Sequence, residues 1–204
     1  MILDTWHIRR DQLAGTSDWM NSDLYDINSR ADGPQSADVL RAMFRNLLTD
    51  RFKLQFHTER KEGPVYVLVP DKGGAKLQRH DPANSGEGLI AAKPNSDLAS
   101  SLKMNWHAAS AAMDELAWML SEIMDRPVID KSGLSGGYDF DIAFTAPWPA
   151  GSGVPEGSAV NGVTIDTSGP TVFDALRVLG LRLEPQKGQV EVMKIDRAER
   201  PSEN

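Results

Sequence analysis

The chain has 204 residues, 40% of them apolar and 25% charged, with no cysteine; that composition supports a packed core and excludes disorder, a disulfide framework and sulfur-based metal sites. Twenty-two Lys and Arg against 29 Asp and Glu leave a net charge of −7, and no window carries the basic stripe that nucleic acid demands. No stretch approaches the roughly 18 continuous apolar residues of a membrane span, and residues 1–20 lack the charged-then-apolar order of a signal peptide.

In chain order, Ser36 is placed to cap a helix whose face carries Val39, Leu40, Met43, Phe44, Leu47 and Leu48, the 3.6-residue spacing of a buried stripe. Phe52, Leu54 and Phe56 then alternate with polar residues as in a half-buried strand, Arg60 to Gly63 reads as a turn, and Val65 to Val69 reads as a strand covered on both faces. The same order recurs. Ser110 is placed to cap a helix carrying Met113, Leu116, Ala117, Leu120 and Ile123, followed by a short Val128-Ile129 strand, a glycine-rich turn over 132–137, and an alternating strand from Tyr138 to Phe144. A third helix opens on the capping box Thr171-Val172-Phe173-Asp174 and stops at Gly180; Leu181 to Glu184, a Pro185-to-Gly188 turn and Val190 to Ile195 complete the unit. These αββ-like units, near residues 36–70, 110–144 and 171–196, predict an α+β fold of repeated helix-hairpin units with antiparallel sheet, in one domain over residues 1–204. Two stretches rich in Pro, Gly, Asn and Ser, 79–100 and 145–169, the second holding Pro147, Pro149 and Pro155, read as long loops able to grip a ligand.

Asp130-Lys131-Ser132-Gly133-Leu134-Ser135-Gly136-Gly137-Tyr138-Asp139-Phe140 resembles the Asp-x-Thr-Gly-Leu-x-Gly-x-Tyr-Asp-Phe segment of an uncharacterised family of exported proteins expanded in soil acidobacteria. The run from Phe173 through Leu181-Arg182-Leu183-Glu184, Val190-Glu191-Val192 and Ile195-Asp196 to the closing Pro201-Ser202-Glu203-Asn204 is also similar. So are Trp19, Ser22 and Tyr25-Asp26-Ile27, and Leu47-Leu48 with Arg51-Phe52-Lys53-Leu54. The family normally begins earlier, with a secretion signal and a first strand, so the resemblance implies an exported or periplasmic location, while the sequence reads either as truncated or as starting at an internal methionine. The helix-hairpin over 171–195 loosely resembles the small N-terminal module of secretins and TonB-dependent receptors, which implies a protein-contact role in the cell envelope.

Gly133-Leu134-Ser135-Gly136-Gly137 matches G-x-S-x-G, with Ser135 as candidate nucleophile and His57 or His107 as its base, but alternation after the motif predicts a strand where a nucleophile elbow needs a helix. Asp139 and Asp141, two apart on one strand face at roughly 6–7 Å, could hold Ca²⁺ together with Asp130; the competing reading is a solvated sheet face. His57 and Glu59 share a strand face as a candidate proton-transfer pair, and Trp106, Trp118 and Trp148 are candidates for an apolar pocket or the core. No Walker loop, dinucleotide fingerprint, HExxH or EF-hand pattern is present, and no cofactor is expected beyond Ca²⁺. The leading expectation is an envelope-type binding or scaffold domain with a protein or small-molecule ligand. Its rival is a small ester or lactone hydrolase using Ser135 or a metal-activated water near Asp130, Asp139 and Asp141.

Overall fold

A computed structural model describes residues 1–201 apart from 34, 85, 87, 89, 95–100 and 149–157. Parts of both expected loops, Pro149 and Pro155 among them, and the closing Ser202 to Asn204 lie outside the described residues. The elements in chain order are α1 (Ile2–Trp6), β1 (Leu13–Ala14), α2 (Asp18–Ser22), α3 (Ala37–Arg51), β2 (Gln55–Pro70), β3 (Gln78–Arg79), β4 (Ile90–Pro94) and β5 (Lys103–Ala111). There follow α4 (Met113–Ile123), β6 (Val128–Asp130), β7 (Tyr138–Thr145), β8 (Ala159–Val160), β9 (Val163–Thr164), α5 (Val172–Val178) and β10 (Leu181–Arg197). The class is α+β. Two compact units form: unit 1 is Met1–Gly63 with Lys187–Asn204, and unit 2 is Pro64–Gln186. Residues of strands β2 and β10 fall in both units.

In unit 1, the Ser36 hydroxyl accepts from the Val39 N–H and starts α3 as the sequence predicts. The helix buries only Leu48, while Val39, Leu40 and Met43 stay exposed. His57 faces Asp196 and Glu59 faces Lys194, so β2 and β10 step in opposite directions and are antiparallel. β1 joins β10 in parallel, Leu13 against Met193. Gly15, at φ +75°, lets the chain lie on the Ile195 backbone, where a Cβ would collide with the carbonyl.

In unit 2, the antiparallel sheet β3-β7-β5-β4 turns Trp106 and Ala108 of β5 and Tyr138, Phe140, Ile142 and Phe144 of β7 into a core shared with Leu116 and Leu120 of α4 and Leu176 of α5. Trp106 meets Phe144 edge-on at 4.9 Å. The capping box at Thr171 and Asp174 forms as expected: each side chain accepts the other residue's backbone N–H. The Thr145 hydroxyl and the Lys103 ammonium donate to the Ser168 carbonyl, and Lys103 also pairs with Asp166, tying down the segment before α5.

Three local expectations differ from the structure. Arg60 to Gly63 and Pro185 to Gly188 are not turns but the interiors of β2 and β10. Arg60 pairs with Glu191 across the strands and Lys61 with Glu59 along its own, and neither Gly63 nor Gly188 has positive φ. β6 and β7 are not a hairpin either: β6 runs parallel to β2, Tyr66 against Val128, while β7 pairs with β5 in the other sheet. Finally, Ser110 is not the cap of α4, which begins after Ala112; it closes a strand, β5, that the Ala-rich run 108–112 concealed.

Candidate functional site

Strand β7 alternates as its sequence implies, burying Tyr138, Phe140, Ile142 and Phe144 and turning Asp139 and Asp141 outward. Each aspartate meets a histidine delivered by tertiary structure. His107 lies directly opposite Asp141 on β5, with Nδ1 2.8 Å from Oδ1; at 53% and 80% side-chain exposure, this pair is open to water. His80, following β3, puts Nδ1 2.7 Å from Asp139 Oδ1 with its side chain only 10% exposed. The same Asp139 oxygen accepts the Ser110 backbone N–H at 2.8 Å. That N–H, and after it the His80 ring, hold the Asp139 carboxyl below the usual carboxylate range.

The other sequence candidates are placed as follows. Ser135 sits exposed on the segment between β6 and β7, its carbonyl accepting from Arg79 Nη2 at 3.1 Å and from the Tyr138 hydroxyl at 3.3 Å. Among the described residues no histidine is hydrogen-bonded to its hydroxyl. His57 belongs to unit 1, where Asp196 at 2.8 Å and Glu59 at 3.4 Å raise its pKa, the Asp196 hydrogen bond being the larger cause. Asp130 ends β6 and accepts the Ser132 N–H at 2.8 Å. Among the described residues no three His, Cys, Asp or Glu side chains converge as a metal site. Trp106 is a core residue and Trp118 is half-buried on α4.

Unit 1 holds a feature the motifs did not announce, a cavity of about 340 Å³ whose apolar wall includes Leu13, Trp19, Tyr25, Leu48, Phe52 and Leu54. Trp19 stacks on Phe52 at 6.3 Å, and Tyr25 meets the same ring edge-on at 5.2 Å. Polar groups stand among these rings: Arg10, Thr16, Asn21 and Asp23. Asp23 is neutralised by Arg200 at 2.8 Å, the main cause of its lowered pKa, and the Arg200 guanidinium lies 5.6 Å over Trp19. Among the described residues Arg10 has no carboxylate partner, and its one side-chain hydrogen bond is to Asn21 Oδ1 at 3.4 Å. The uncompensated charge of the cavity is therefore positive. In the sequence Trp19, Tyr25, Leu48, Phe52 and Leu54 stand as carriers of a resemblance, as part of a helix stripe and as a strand pattern, not as a site. Clustered aromatics on a short helix and the turn after it are the signal that could have marked them for binding.

Comparison with curated proteins and with solved structures finds no match. The family model described as a protein of unknown function, DUF3738, matches residues 1–198, and the chain belongs to that family.

Proposed function

We propose that the protein is a binding domain whose ligand seat is the aromatic cavity of unit 1, and that the ligand is a small apolar or aromatic molecule carrying one carboxylate. The observation that carries this reading is the pairing of an aromatic wall with a guanidinium, Arg10, that has no carboxylate partner among the described residues, in a cavity of about 340 Å³. That volume lies within the roughly 300–1,000 Å³ of small-molecule sites, which are mostly apolar with a few orienting polar groups. Burial of the ligand's rings against Trp19, Tyr25 and Phe52 supplies the free energy, and a planar guanidinium matches a carboxylate with two parallel hydrogen bonds. In an envelope-type setting, as the sequence resemblance implies, such a unit would capture an amphipathic acid.

Calorimetric titration with 2-naphthoate tests it. Saturable binding at millimolar affinity or better is expected, with Trp19→Ala abolishing it and Arg10→Ala weakening it about tenfold, the scale of one charge-assisted hydrogen bond. The uncharged 2-naphthamide should bind the wild type about as weakly as naphthoate binds the Arg10 variant. Equal affinity for acid and amide would remove the carboxylate from the reading, and no saturable heat with either would remove the cavity. Ester or lactone hydrolysis is the second reading, favoured by the two His–Asp pairs flanking β7. Its original form, through Ser135 or a metal-activated water at Asp130, Asp139 and Asp141, predicts loss of turnover in Ser135→Ala or on chelation, respectively.

A further inference from the structure

Ser110 holds φ +65°, a backbone conformation suited to glycine, where the β5/β7 register shifts between Ala108 and Ala111. Bulges and left-handed non-glycine residues concentrate at functional sites because neighbouring structure must hold them in place. Here Asp139 does so by accepting the Ser110 N–H at 2.8 Å, and with the same oxygen it accepts His80 Nδ1 at 2.7 Å. Two glycines make room for the pair. A Cβ on Gly86 would stand 2.5 Å from Ser110 Cβ and 2.8 Å from His80 Nε2, and a Cβ on Gly137 would overlap the Ser110 hydroxyl. Ser110 Cβ and the ring's second nitrogen thus both lie within 2.8 Å of one point, with side-chain bulk withheld there, while the Ser110 hydroxyl lies on the Gly137 side.

We propose that Ser110, His80 and Asp139 form a hydrolytic site for short-chain acyl esters, with Ser110 as nucleophile, His80 as its base and Asp139 as the positioning residue. A carboxylate only accepts, so His80 Nδ1 carries the proton and Nε2 holds the basic lone pair of the neutral ring. Nε2 has one contact among the described residues, the Asn84 carbonyl at 3.3 Å. A carbonyl only accepts, so in this arrangement the ring donates from both nitrogens, and it serves as a base once the Nε2 proton is lost and a hydroxyl donates there in place of that contact. In this proposal the Ser110 hydroxyl, which lies beside Gly137, turns about its Cα–Cβ bond to supply that donor.

Ser110 Oγ then attacks the ester carbonyl carbon, its proton passing to His80 Nε2. The carbonyl carbon–alkoxide oxygen bond breaks as Nε2 returns that proton to the departing oxygen, releasing the alcohol and leaving acyl-Ser110. Water attacks the acyl carbon and gives its proton to Nε2. The Oγ–carbon bond breaks, Ser110 is reprotonated, and the carboxylic acid leaves. Ester and water become acid and alcohol with no other reactant. The Gly86 and Gly137 backbones pass close to Ser110, so a short acyl group is the expected fit.

The test combines turnover of 4-nitrophenyl acetate with labelling by diisopropyl fluorophosphate, in which the serine Oγ–phosphorus bond forms, the phosphorus–fluorine bond breaks and hydrogen fluoride is released. One adduct mapping to Ser110 is expected. Ser110→Gly, which suits φ +65°, should keep the Tm and lose both label and turnover; His80→Gln should lower turnover at least about a hundredfold; 4-nitrophenyl octanoate should be a poor substrate. A wild type that is neither labelled nor active overturns the proposal, as does an adduct at another residue, including Ser135, or turnover unchanged in Ser110→Gly. Ser110→Ala provides the same comparison if the glycine variant fails to fold.

Discussion

Unit 2 packs Leu116, Leu120 and Leu176 with Trp106 and Phe144 into a continuous core in which none is more than 2% exposed, whereas in unit 1 helix α3 buries Leu48 and leaves Val39, Leu40 and Met43 open. Both units present amphipathic helices, so hydropathy alone does not separate them. What differs is cover. In unit 2 two helices face an extended antiparallel sheet, and Trp106, Tyr138, Phe140, Ile142 and Phe144 on its inner face are buried. In unit 1 short helices and a two-residue strand leave the aromatic cluster around Phe52 bordering a cavity. A filled core contributes stability and has no space for a ligand; an uncovered concave apolar surface contributes less stability and can gain it by binding.

The sharpest way to break this contrast is to truncate a large apolar side chain in each kind of environment. Leu116→Ala in unit 2 should cost about 2–5 kcal/mol, by lost transfer free energy plus a cavity, a large share of a typical total of roughly 5–15 kcal/mol. Met43→Ala on the open face of α3 should fall within about 0.5 kcal/mol of zero. Denaturant melts that rank the two alike would show that α3 is covered in solution. A smaller effect is expected at the capping box: Thr171→Ala removes the acceptor for the Asp174 N–H and should cost about 1 kcal/mol, with Thr171→Ser recovering most of it.

The smallest effect is a pH dependence. Hydrogen bonds from the Ser168 hydroxyl and backbone N–H, and then from Lys103, lower the Asp166 pKa from 3.8 to about 2. Because the folded value is depressed, this clip contributes stability above pH 3.8 that is lost as pH falls toward 2. Acid titration of the melting temperature in Asp166→Asn should therefore show a shallower fall over that window than in the wild type. Parallel curves would mean that the clip is broken in solution.

Legibility in the sequence followed the range of the interactions. Ser36 with α3, the Thr171 capping box and the alternation of β7 were readable because the partners lie within four residues or on one strand face. The long strands β2 and β10 were broken in the reading at Arg60 to Gly63 and Pro185 to Gly188 because polar residues and glycine resemble a turn when the opposing strand is not in view. β5 was missed because small alanines and a strained serine blur its period. Asp139 and Asp141 were recognised as a shared face, but their histidines come from 59 and 34 residues away, a distance only strand register spans. The cavity residues were legible one by one and not as a site, since Trp19 and Phe52 meet through tertiary packing.

Amide chemical-shift mapping of the full chain during titration with 2-naphthoate tests the division of roles most directly. Saturable shifts should be confined to unit 1 and centre on residues 10–25, 48–54 and 198, while the amides of α4, β5 and β7 stay in place. Shifts centred on unit 2, or no saturable shift in unit 1, would contradict it.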